Sequence, residues 1–442
     1  MDLGAELPIW TALPFAGLLL SIAVLPLMIP AFWDRHHGKA LVGALFSVPV
    51  VLYLVGAHGA EGVEVLAHKA AEYTSFILLL GSLFIISGGI VVRGSLSGTP
   101  LLNTALLAIG AVLASVIGTT GASAVLIRPL LRANAPRVRK AHIVVFFIFV
   151  VSNCGGLLSP LGDPPLFLGF LVGVPFTWTL RLLPVWLLVN GLLLVIFNVW
   201  DQVVFDREEA ERPGSQLEEV MRREPLRIEG VRNVLFLGAI VAVVAAAGHG
   251  VGAGGRPWPF GVQEASMLAI AAVSYAVTPA RLRFANGFAF GPIIEVAVLF
   301  AGIFVTMAPA LLLLNARAAS FGVREPWQFF WASGALSSFL DNAPTYLTFA
   351  ATACGLKGVA LEGRYLAAFL AGGAEPAALL KAVSAGSVMM GANSYIGNGP
   401  NFMIKAIAEQ GGIAMPSFGR YMLYSAGVLI PIFVLVTFVF FR

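Results

Sequence analysis

Two segments put carboxylates inside long apolar stretches: Ser159-Pro-Leu-Gly-Asp163-Pro-Pro in the first half of the chain and Ser337-Ser-Phe-Leu-Asp341-Asn-Ala-Pro344-Thr in the second. An ionisable group at membrane depth costs a few kcal/mol or more, so it faces a cavity or a partner and marks an ion or substrate route. Each segment also breaks helical periodicity. Backbone that leaves the helix in lipid strands N–H and C=O groups unless protein or trapped water satisfies them.

Composition agrees with lipid as the solvent. Of 442 residues, 58% are hydrophobic and 11% charged, and the mean hydropathy is +0.89, which excludes an ordinary soluble domain. The basic residues, behind a pI near 9.2, are scattered at the ends of apolar runs. That is a topology signal rather than a nucleic-acid face. Cys154 and Cys354 lie in different halves and define neither a disulfide framework nor a metal site. The first apolar run, Trp10 to Trp33, has no cleavage signature and is expected to be retained as a helix.

At about 20 residues per span, helices are expected near 11–32, 40–57 and 73–93. An interrupted stretch at 101–131, an interrupted span at 141–172 and a continuous one at 182–204 follow. Residues 1–204 form a first membrane unit, 205–230 a polar cytoplasmic linker carrying Glu208, Glu209, Arg222, Arg223 and Glu224, and 231–442 a second unit in the same order. Its spans lie near 231–248, 262–279 and 291–314, with interrupted stretches at 328–355 and 379–410 and a last span at 420–441.

The halves align. At an offset of 222, Ser115, Thr119, Thr120 and Ser123 lie over Ser337, Asp341, Asn342 and Thr345. At 235, Gly156, Ser159, Gly162, Pro165 and Phe167 fall on identical residues, Gly391, Ser394, Gly397, Pro400 and Phe402, and Asp163 falls on Asn398. If 101–131 and 328–355 are re-entrant hairpins, 18 Lys and Arg lie on one side against 9 opposite, or 12 against 9 without the linker. The richer side is cytoplasmic. Five crossings plus one hairpin per half invert the second half relative to the first. The expected fold is thus all-α and polytopic, two inverted repeats with broken transmembrane helices. Breaks at matching positions of such repeats point to a midplane transport site.

The candidate site follows from the breaks: Thr119, Thr120, Ser123, Asn153, Ser159, Asp163, Asp341, Asn342, Thr345, Asn393, Ser394 and Asn398. Half-helix N-termini offer positive partial charge to an anion, while hydroxyl, amide and freed carbonyl oxygens suit Na⁺. Asp341 stands out because no Lys or Arg lies within ten residues of it. It is expected to exchange Na⁺ for H⁺, with Asn342 as a second Na⁺ ligand; it also reads as a helix N-cap before an early Pro. Gly-Asp163-Pro-Pro is equally good turn chemistry. Glu72 and Glu295 suit helix starts, and Arg128 suits a side chain reaching the cytoplasmic surface.

Asn153-Cys-Gly-Gly with Gly162-Asp-Pro-Pro, and Asp341-Asn-Ala-Pro, resemble the paired signatures of the ion transporter superfamily. Phe15 to Lys39, Gly118-Thr-Thr-Gly-Ala-Ser, Ser337 to Phe349 and Gly391 to Phe402 are similar to its bacterial branch of citrate transport and NhaD-like sodium:proton antiport. The resemblance implies two re-entrant hairpins, a scaffold with a moving transport part, a homodimer working by an elevator motion, and a place in the bacterial inner membrane. It carries Thr119, Thr120, Asp341 and Asn342 to the hairpin tips and Asn153, Ser159, Asp163, Asn393, Ser394 and Asn398 to the broken helices. Leu166 and Phe167 stand where relatives often have Asn, and the Ser-Asn-Thr triplets of dicarboxylate carriers are missing.

Sodium:proton antiport is the leading expectation, and Na⁺- or H⁺-coupled transport of citrate or a related organic anion the alternative. No cofactor is expected beyond the transported or coupling ions, and no partner beyond lipid, the small passenger and a second copy. An intramembrane enzyme would need a nucleophile with a base, or a metal cluster, and neither spacing occurs. Broken helices in matching halves favour alternating access over a channel.

Overall fold

The structure is a computed structural model that describes residues 3–33, 35–95, 97–214, 224–253 and 258–442. Among the described residues, eight helices are long and apolar enough to cross a membrane: Ile9–Pro26, His37–Ser87, Pro100–Ile117, Ala141–Leu158, Phe176–Glu211, Arg232–His249, Gly291–Ala316 and Phe418–Phe441, with Val262–Val277 a shorter apolar helix. Large apolar side chains on the outer helices stay uncovered, Leu235 at 76% and Leu423 at 71% exposed. In water such surface would drive association; against lipid tails it carries no penalty.

The expected spans 40–57 and 73–93 belong to one run, His36–Ser87, broken at Gly59 (φ +54°, ψ −121°). A Cβ on Gly62 would sit 2.1 Å from the Leu54 carbonyl oxygen, so the chain turns back sharply there. Glu72 pairs with Lys69 and Glu295 with Lys39, each at 2.7 Å. Both acids are therefore spent on neighbours. The Arg128 guanidinium lies beside Gly287, where a Cβ would be 2.6 Å from Nη2.

The 205–230 segment is not without regular structure: the preceding helix, Leu183–Glu211, runs into it, and Glu224–Glu229 forms a strand. Arg222 and Arg223 lie outside the described residues. Nor is the fold wholly helical, because Glu224–Glu229 pairs antiparallel with Val91–Ser95, Val92 opposite Ile228. Ile228 on this ribbon is 57% exposed, and successive side chains of a strand point to opposite faces. The pairing puts Arg93 beside the end of the linker, with Arg93 and Glu229 ion-paired at 2.9 Å.

Eight helices carry the breaks: α1 (Pro100–Ile117), α2 (Thr119–Ala133), α3 (Ala141–Val150), α4 (Pro164–Leu171), α5 (Pro326–Ser337), α6 (Asn342–Leu356), α7 (Ala374–Met389) and α8 (Gly399–Gln410). Each of α1, α4, α5 and α8 has Pro in its first turn, where the missing N–H costs nothing. α3 and α7 form the centre: Phe146, Phe147, Phe149, Leu380 and Val388 are fully buried.

Candidate functional site

The break between α1 and α2 is a single residue, Gly118, at φ +83°. A side chain there would be strained, and glycine lets the chain leave one helix and open the next in one step. Thr119 then opens α2 with its backbone N–H on the Gly162 carbonyl at 2.8 Å. Gly162 crosses Gly156 so closely that a Cβ would lie 2.0 Å from the Gly156 oxygen. The second half repeats the crossing, with a Cβ on Gly397 2.6 Å from the Gly391 oxygen. Only glycine permits this contact, and it leaves Asp163 and Asn398 as the extended residues preceding α4 and α8, at φ −148° and −152°.

Asp163 is the meeting point of both halves. It is 1% exposed. Its Oδ1 accepts from Thr119 Oγ1 at 2.8 Å and from Asn398 Nδ2 at 3.4 Å, and its Oδ2 accepts from Asn342 Nδ2. Thr119 begins α2, Asp163 precedes α4, Asn342 begins α6 and Asn398 precedes α8. Four helix N-termini therefore converge on one carboxylate, each presenting roughly half a positive charge. All three side-chain donors are neutral, and no ion pair among the described residues involves Asp163 or Asp341.

A chain of amides fixes the junction. Asn398 Nδ2 also reaches the Ser152 carbonyl at 3.1 Å and Asn153 Oδ1 at 3.2 Å. Asn153 Nδ2 donates to Asn401 Oδ1 at 2.7 Å, and Asn401 Nδ2 donates to the Gly391 and Ser394 carbonyls, both at 2.9 Å. Ser123 meets Ser152 at 2.8 Å.

The remaining candidates are placed differently. Ser159 donates to the Ser115 carbonyl and Ser394 to the Ser338 carbonyl, so both hydroxyls hold backbone. Thr345 Oγ1 donates to the Asp341 carbonyl at 2.9 Å, within its own helix turn. Asp341, half-buried, accepts the Ala343 N–H at 3.0 Å, the cap that its sequence suggested. Thr120 is half-buried beside Thr119 and is not among the donors to Asp163.

The bonds also bear on the expected offset of 222 between the two halves. Ser115 Oγ donates to the Gly155 carbonyl and Ser338 Oγ to that of Met390; with the two serine-to-carbonyl bonds above, these contacts match at 223 on one side and 235 on the other. At the offset of 223 Thr119 falls on Asn342, and Gly118 on Asp341, one residue from the 222 alignment. Asn401, absent from the sequence candidates, stands at the 235 position of Leu166, where its partner half is apolar.

Chemically, a carboxylate with about four lone-pair sites and three donors keeps room for a cation. Asn342 Oδ1 and Asn393 Oδ1 are buried acceptors without a hydrogen-bond partner. Orphaned oxygens of this kind fit a hard cation or a bound water. The donor set, all oxygen, suits Na⁺ or a proton and not a soft metal.

A family model described as "Putative citrate transport" matches residues 4–441. No curated protein matches the chain.

Proposed function

Because the chain belongs to this citrate transport family over nearly its whole length, it is a multi-pass membrane transporter and not an enzyme, and we propose that it carries citrate or a related organic anion coupled to Na⁺ or H⁺. The observation that carries the reading is the convergence of four helix N-termini from both halves on Asp163. Such ends attract carboxylates, yet Asp163 repels them until a cation or proton neutralises it. Coupling follows: the cation completes the site and the anion then enters it. The unpartnered oxygens of Asn342 and Asn393 supply further ligands for Na⁺.

In this reading the halves are inverted repeats, α1–α2 and α5–α6 are the re-entrant hairpins, and the hydrogen bonds that match at 223 and 235 are the support for it. An elevator motion of the broken-helix part against the remaining spans, in a homodimer of the inner membrane, completes the proposal.

One observation favours a second reading, sodium:proton antiport. Neither Asp163 nor Asp341 is paired with a basic side chain among the described residues, which suits cation exchange better than anion capture. Proteoliposomes separate the two. Labelled citrate should accumulate under an imposed Na⁺ or pH gradient; Na⁺-dependent collapse of a pH gradient with no carboxylate uptake overturns the first reading in favour of the second.

A further inference from the structure

A second polar cluster lies away from Asp163 and its partners, where the loop after α2 meets the polar end of Leu183–Glu211. The stretch from Arg128 to Lys140 holds five basic residues. One member, Arg137, is not at the surface: its side chain is 2% exposed. Nη1 binds Asp201 Oδ1 at 2.7 Å and the Gly98 carbonyl at 3.2 Å. Its Nη2 and Nε have no hydrogen-bond partner, Nε lying 3.5 Å from Glu208 Oε2. The guanidinium stands over the Phe205 ring at 5.1 Å.

Arg137 is one of the residues that line a cavity of about 100 Å³, with Val138, Arg139, Phe205, Glu208 and Glu211. The carboxylates around it are largely engaged. Asp201 also bonds His142 at 2.8 Å and Asn103 at 3.0 Å. Glu208 Oε1 takes the Arg139 backbone N–H at 2.6 Å, and both Glu211 oxygens face the Arg139 guanidinium, at 2.8 and 3.0 Å. What lacks a hydrogen-bond partner on Arg137 is therefore Nη2 and Nε of a buried, permanently charged fork, with Glu208 Oε2 3.5 Å from Nε. A guanidinium edge of this kind matches oxyanion geometry.

We propose that this cavity binds a phosphate group, either free or as the headgroup of an anionic lipid. The bound group would tie the loop after α2 to the end of Leu183–Glu211, independently of which ion or anion the protein transports.

Two substitutions test it without dismantling the ion pairs. Val138→Glu sets a carboxylate at the cavity from a residue that is 74% exposed. Arg137→Lys keeps a cation for Asp201 and removes the fork. Delipidated full-length protein titrated calorimetrically with inorganic phosphate should bind it saturably, and each variant, eluting as the wild type does in gel filtration, should bind about tenfold more weakly, the equivalent of one charge-assisted hydrogen bond. In a parallel arm, native mass spectrometry from phosphatidylglycerol and phosphatidylcholine mixtures reports selective retention of the anionic lipid. Retention without phosphate binding assigns the site to the headgroup; phosphate binding without retention assigns it to the free ion. If neither occurs, or if both variants bind as the wild type does, the unpartnered donors are satisfied by water and the proposal fails.

Discussion

Replacing Asp163 by Asn separates its charge from its architecture. In the wild type Oδ1 receives Thr119 and Asn398 and Oδ2 receives Asn342. An Asn side chain can keep its oxygen toward the first two and turn its amide nitrogen toward Asn342, whose own amide can rotate to present the Oδ1 that now lacks a partner. Every hydrogen bond is then conserved in number, and the folding cost should stay within about 1 kcal/mol. Asp163→Ala has no such escape. It leaves Thr119 and Asn342 donors buried and unmade at about 1–3 kcal/mol each, while Asn398 keeps Ser152 and Asn153. Cation binding, by contrast, should weaken in both variants, because both remove the formal charge. Removing the formal charge takes away charged contacts of about 1.5–3 kcal/mol, roughly ten- to a hundredfold in ion affinity, so Asp163→Asn should be stable and uncoupled. Thermal unfolding in detergent, together with the Na⁺ and pH dependence of uptake in proteoliposomes, measures both. A variant that transports at the wild-type rate with unchanged cation dependence would falsify the assignment of Asp163 as the coupling group.

Asn401→Leu, which copies the apolar residue at the corresponding place in the first half, should lower stability by about 2–4 kcal/mol, because it frees the Gly391 and Ser394 carbonyls and one Asn153 N–H; an unchanged unfolding midpoint would show that the amide chain is incidental. Gly162→Ala should prevent accumulation of folded protein, since its Cβ would lie 2.0 Å from the Gly156 oxygen, whereas Gly238→Ala, with nothing within 4 Å, should fold normally. Comparable yields of the two would contradict the close crossing.

Much of the site was legible because the breaks are written in residue types that lipid-facing helices avoid. Gly118, Asp163, Asn342 and Asn398 all sit at helix starts, as the Pro and Gly around them indicated. The 222 register was not wrong in kind: small and hydroxyl residues recur so often near the tips that a one-residue slip costs few matches, and only the bonds through Ser115 and Ser338 decide it. Asp341 drew attention by its isolation along the chain, but isolation in sequence says nothing of which carboxylate the fold brings to the other half; Asp163 is the one so placed. Asn401 was invisible for the reverse reason. Its partner position, Leu166, is apolar, so no repeat argument could nominate it. The strand at Glu224–Glu229 depends on pairing with a segment more than a hundred residues earlier, a non-local contact that a local pattern does not register.

The separation between Asp163 and its partners also bears on biosynthesis. Asn342 lies 179 residues further along the chain and Asn398 lies 235. At about 5–20 residues per second, a ribosome needs roughly 10–40 s to reach the first of them. During that interval the nascent first half holds an acidic group with Thr119 alone of its three side-chain donors already made, so the polar junction closes only when the C-terminal half has been synthesised.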